Sequence, residues 1–107
     1  MLVESLEERG HLVQTASDGE AGLELSLKNE YDLILLDIIL PKKNGLEVLE
    51  ELGKEKKGVL PKVLVLTNLG EADSVQKALD LGARSYLVKS DHNLKEIMEK
   101  VENLLKN

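Results

Sequence analysis

The chain is 107 residues long, 42% hydrophobic and 32% charged, with a formal net charge of -6; this fits one domain, residues 1–107, with a core of its own. It has no Phe, Trp or Cys, so Leu, Ile, Val and Ala must build the core, and disulfide and thiolate chemistry are excluded. The acidic balance argues against nucleic acid as a direct partner. No run approaches the roughly 20 apolar residues that cross a bilayer, and the amphipathic MLVESLEERG is no signal peptide, so a cytoplasmic protein is expected, with no membrane partner.

Taken in chain order, Leu2, Val3 and Leu6 keep helical spacing, and Gly10 is a helix terminator. HLVQTA, His11 to Ala16, alternates like a strand. Ser17-Asp18-Gly19-Glu20 signals a helix start, with Asp18 and Glu20 as capping residues, and the helix continues from Ala21 to Asn29. Asp32 to Asp37 follows as a short apolar run without helical spacing, which reads as a buried parallel strand. Leu46, Val48, Leu49 and Leu52 mark a helix that Gly53 weakens and Gly58 closes. Its end carries Lys54 to Lys57, a solvated charge cluster. Val63 to Thr67 is a second buried strand, Glu71 to Leu81 a helix ending at Gly82, and Ser85 to Val88 a last strand. Asp91 fits a helix N-cap beside Ser90. Leu94, Ile97, Met98, Val101, Leu104 and Leu105 then lay an apolar stripe on a C-terminal helix. His11 and His92 have no partner spacing and are expected to be exposed.

Strands alternating with helices imply parallel βαβ units with right-handed crossovers. The C-terminal ends of parallel strands share one edge, where open α/β sheets place their chemistry. Three such ends carry polar groups here: Asp37, Thr67 and Lys89. An acid, a hydroxyl and an ammonium suit phosphoryl transfer to a carboxylate. The Asp oxygen attacks phosphorus, and the other two stabilise charge on the transferred oxygens.

LILLDIILPKKNG with Asp37, VLVLTN with Thr67 and SYLVKS with Tyr86 and Lys89 resemble the receiver domains of two-component response regulators over essentially the whole chain. The resemblance implies a flavodoxin-like fold with Asp37 as phosphoacceptor, Thr67 as switch hydroxyl, Lys89 as phosphate contact and Tyr86 as switch aromatic, which a bare strand pattern would otherwise read as core packing. It also implies magnesium, with Asp37 and the backbone carbonyl of Ile39 as ligands. A histidine kinase or phosphotransfer protein would be the donor, and the chain an acceptor and switch rather than an enzyme.

Two departures stand out. Ser90 follows Lys89 where the family usually has proline. The family's first strand and the acidic pair at its end are missing, so the chain reads as N-terminally truncated. The expected fold is then a doubly wound α/β sheet lacking the first strand, with four strands per chain. Either His11–Ala16 pairs directly with Asp32–Asp37, with three helices on one face and the two terminal helices on the other, or a second copy completes the sheet by strand exchange. The reading leans toward self-association. One carboxylate should hold magnesium weakly, so phosphorylation is expected to be impaired. The alternative function is a non-phosphorylatable, receiver-derived interaction or oligomerisation module.

Overall fold

A computed structural model describes residues 2–57, 60–68 and 72–106. The described residues form two helices followed by alternating strands and helices: α1 Leu2–Glu8, α2 Gly19–Lys28, β1 Ile34–Asp37, α3 Gly45–Glu55, β2 Val63–Thr67, α4 Ala72–Asp80, β3 Ser85–Val88 and α5 Leu94–Lys106, with a 3-10 turn at Lys89–Asp91. The strands form one parallel sheet in the order β1-β2-β3. Leu36 stands opposite Val65, and Val65 opposite Tyr86.

The central strand shows why an unbroken apolar run is needed here. Val63, Leu64 and Val65 are all 0% exposed, because a parallel strand with helices on both sides has no solvated face. Val63 and Val65 point into a cluster with Leu36, Val48, Leu49 and Ala78, against which Leu23 also packs. That face is covered by α2, α3 and α4. Leu64 points the other way, into a cluster with Leu6, Leu87, Met98 and Val101 from α1, β3 and α5. The expected three-and-two division of the helices is therefore observed. Burying each of the Val, Leu and Met side chains contributes about 1.5–3 kcal/mol.

The expected strand at His11–Ala16 does not form. Among the described residues the sheet has three strands, not four, and residues 11–16 make no pairing with β1. Other contacts hold the segment. The His11 N–H donates to the Leu6 carbonyl at 3.1 Å, Val13 packs on the α1–α5 cluster, and the Tyr31 hydroxyl bonds Gln14. Alternating side chains report which residues are buried. A strand also needs a partner for its peptide groups, and the pattern cannot supply one. Leu12 is left fully exposed.

Among the described residues β1 is paired on one side only, with β2. The N–H groups of Ile34 and Ile38 donate to Lys62 and Leu66 on the β2 side, at 2.9 and 3.3 Å. By alternation, the peptide groups of Leu33, Leu35 and Asp37 face away from β2.

Smaller expectations fare unevenly. Asp18 caps α2, accepting from the Ala21 N–H at 2.8 Å. The cap of α5 is Asn93, not Asp91. Asn93 accepts from the Glu96 N–H at 2.9 Å, and its own N–H donates to the Glu96 carboxylate at 3.0 Å, a capping box. Asp91 lies in the preceding 3-10 turn. Gly58 and Glu71 fall outside the described residues. His11 is half-buried against Glu102 rather than exposed, and His92 is half-buried too, 3.9 Å from Glu96.

Candidate functional site

Each site residue follows from where its strand stops. Asp37 is the last residue of β1. Thr67 ends β2, and because Asp37 is level with Leu66, Thr67 stands one step further along the edge. Lys89 follows the last residue of β3 and opens the 3-10 turn. Despite Ser90, the Lys89 ammonium reaches across the edge to within 2.5 Å of Asp37 Oδ1.

That contact is an ion pair without the directionality of a hydrogen bond: Oδ1 is buried and makes no hydrogen bond of acceptable geometry among the described residues. The close approach of opposite charges is nonetheless real in Coulombic terms. Because Oδ1 is buried while the Asp37 side chain is 36% exposed, the exposure falls on Oδ2 and the methylene. One oxygen is therefore held beside the cation, and the other is open to an incoming electrophile. At 42% and 36% exposure the pair adds at most about 1 kcal/mol to stability.

Thr67 is 2% exposed, and its Oγ1 has no hydrogen-bond partner among the described residues. A buried hydroxyl with nothing to bond costs roughly 1–3 kcal/mol, and such unsatisfied groups cluster where a ligand or a second conformation completes them. Tyr86 is not core. It is 44% exposed, and its level pairing with Val65 puts it on the sheet face that carries α2, α3 and α4.

The loop after β1 is shaped by two close approaches that side-chain reasoning missed. A Cβ on Gly45 would lie 2.3 Å from the Asp37 carbonyl oxygen, and one on Gly19 would lie 1.7 Å from the Lys43 carbonyl oxygen. The Gly45 N–H donates to the Ile38 carbonyl at 2.7 Å, and the Gly19 N–H to the Pro41 carbonyl at 3.1 Å. Only glycine lets α3 and α2 begin this near the loop. Lys42, at φ 67°, sends its ammonium to 3.7 Å from Asp18. Asn44 and Glu47 then open α3 with a capping box. The Asn-Gly pair after Pro41 was the available signal for both the cap and the close approach.

Magnesium would have Asp37 and the Ile39 carbonyl as ligands. Ile39 is an exposed residue. The described residues nevertheless contain no group of three or more His, Asp or Glu placed to hold a metal ion, and one Asp37 oxygen already faces Lys89. Magnesium demands near-octahedral oxygen coordination, usually through one or two carboxylates plus substrate phosphates. The donor set of the described residues does not fit a resident magnesium ion.

Parallel α/β layering with an acid, a hydroxyl and an ammonium on one sheet edge defines a flavodoxin-like domain with its chemistry at the strand ends. Residues 1–102 match the response regulator receiver domain family. The transcriptional regulatory protein CusR of Escherichia coli K12 is 39% identical over 105 residues, 98% of this chain and 45% of that protein. CiaR of Streptococcus pneumoniae is 42% identical over 88% of this chain and 41% of its own length. Among solved structures, a two-component response regulator from Clostridium difficile has a TM-score of 0.84 at 30% identity, covering 99% of this chain and 84% of that one. TrrA from Thermotoga maritima, solved with Mg(2+)-BeF, has a TM-score of 0.79 at 39% identity, covering 96% and 85%. The chain belongs to the response regulator receiver domain family. It spans less than half the length of these two curated relatives, and no helix among the described residues is long and apolar enough to cross a membrane.

Proposed function

We propose that Asp37 accepts a phosphoryl group from a phosphohistidine of a histidine kinase or phosphotransfer protein, in a cytoplasmic signalling role. The observation that carries this reading is the Asp37–Lys89 contact beside the unpartnered Thr67 hydroxyl. Asp37 Oδ2 attacks phosphorus, the P–N bond to the donor imidazole breaks, and the imidazole leaves with the bond's electron pair and takes up a proton. Lys89 lies close enough to bind an oxygen of the acquired group. The Thr67 hydroxyl can donate to another once it turns toward it, and Tyr86, exposed on the sheet face, can change rotamer with that movement. The chain is then an acceptor and switch, with no catalytic turnover of its own.

Phosphorylation of this chain is impaired, because the described residues offer magnesium a single carboxylate and a carbonyl. Incubation with a small-molecule phosphodonor such as phosphoramidate, followed by intact-mass measurement, tests this. A slow gain of one phosphoryl group, little changed by added magnesium and lost in Asp37→Asn, supports the reading. Rapid stoichiometric gain on adding magnesium contradicts the impairment, and no gain at any time contradicts the acceptor role.

The one-sided pairing of β1 among the described residues favours a second reading, a receiver-derived module that associates with itself. Unpaired strand edges recruit other chains, and fully exposed Leu12 lies in the unpaired segment before α2.

A further inference from the structure

The sequence holds one Asn-Gly pair, Asn44-Gly45, in the turn that leads from Asp37 into α3. Such a pair carries its own chemistry, because glycine has no side chain to keep its backbone nitrogen away from the asparagine carboxamide. The Gly45 nitrogen, its proton given up to hydroxide, bonds the carboxamide carbon of Asn44. The bond from that carbon to the NH2 group breaks, and ammonia leaves with the electron pair and a proton from water. Water then opens the five-membered ring at either carbonyl, leaving aspartate or isoaspartate at position 44.

Asn44 is exposed, but the fold opposes the first step. The Gly45 N–H donates to the Ile38 carbonyl at 2.7 Å, which keeps the proton on the attacking nitrogen. Asn44 Oδ1 accepts from the Glu47 N–H at 2.9 Å, and Glu47 Oε1 accepts from the Asn44 N–H at 3.1 Å. The preceding loop has little freedom to help. The Gly19 N–H to Pro41 carbonyl bond and the Lys42–Asp18 pair tie it to α2. Ring closure therefore breaks the Gly45–Ile38 and Glu47–Asn44 bonds together, which opens the first turn of α3.

We infer that Asn44 is a deamidation site gated by the start of α3, shut in the folded chain and open only when that turn frays. The two products part ways in the fold. Aspartate is as good an N-cap as asparagine and leaves α3 in place. Isoaspartate routes the main chain through the side-chain carbon and lengthens it by one methylene. There is no room for that shift, since even a Cβ on Gly45 would lie 2.3 Å from the Asp37 carbonyl oxygen. The start of α3 is then pushed off the strand end.

Peptide mass mapping of the intact chain, aged in mildly alkaline buffer with and without guanidinium chloride, tests this. Isoaspartate methyltransferase labelling separates the two products. Two hydrogen bonds of this kind hold an opening back about tenfold or more, so Asn44 should convert that much more slowly in the folded chain. Glu47→Ala removes the carboxylate from the capping box and should speed conversion of the folded chain about two- to tenfold. Asn93 has the same box with Glu96 but is followed by leucine, and should stay intact over the interval. In hydrogen exchange, chains with isoaspartate should lose protection in the first turn of α3, while chains with aspartate keep it. Equal rates in folded and unfolded chains overturn the gate, as does a Glu47→Ala rate equal to the parent's. Conversion at Asn93 as fast as at Asn44 overturns the part given to Gly45, and equal protection in the two products overturns their divergence.

Discussion

At the scale of single residues, Thr67 is the most instructive. Its hydroxyl is buried and unpartnered among the described residues, a cost to the folded chain. Thr67→Val keeps the shape and removes the hydroxyl. Denaturant unfolding should show the variant as stable as the parent or up to about 3 kcal/mol more stable, while the change that phosphorylation brings at Tyr86 is lost. A loss of stability greater than about 1 kcal/mol would mean the hydroxyl has a partner in the resting state. Asp37 and Lys89 tell a complementary story. Their contact is too exposed to matter much for folding, so its closeness is best understood through the chemistry of the open carboxylate oxygen.

At the scale of elements, the sequence is most legible where burial and period agree. Val63–Thr67 is apolar on both faces because helices cover both faces, so its run announces a parallel strand. Asp37, Thr67 and Lys89 were readable as a set because a parallel sheet sends its strand ends to one edge. Residues 11–16 show the limit of such patterns. Val13 packs on the α1–α5 cluster, yet pairing depends on a neighbour that a local pattern does not encode. The Asp91 cap was mislaid by two residues for a related reason: Ser90-Asp91 and Asn93 are all competent caps, and the intervening 3-10 turn decides between them. For α3 the cap is unambiguous. Asn44→Ala removes the acceptor for the Glu47 N–H, 2.9 Å away, and should lower stability by about 0.5–2 kcal/mol in urea titration. A cost of only a few tenths would mean that the Gly45 N–H to Ile38 carbonyl bond fixes the helix start without the cap.

At the scale of the whole molecule, the described strands and helices divide into two apolar clusters, and β1 pairs on one side only among the described residues. The one-sided pairing of β1 and the exposed Leu12 predict concentration-dependent association, which light scattering across a dilution series should show as a mass above one chain at high concentration. A constant monomer mass would contradict the self-association reading and leave the acceptor reading untouched. The central claim is that a phosphoryl group lands on Asp37. Borohydride reduction after prolonged treatment with phosphoramidate converts an aspartyl phosphate to homoserine, which peptide mass mapping locates. The account predicts homoserine at position 37 and nowhere else, with none in Lys89→Ala over the same interval. Homoserine at another acidic position, or none at 37 when the parent has gained phosphate, would contradict it.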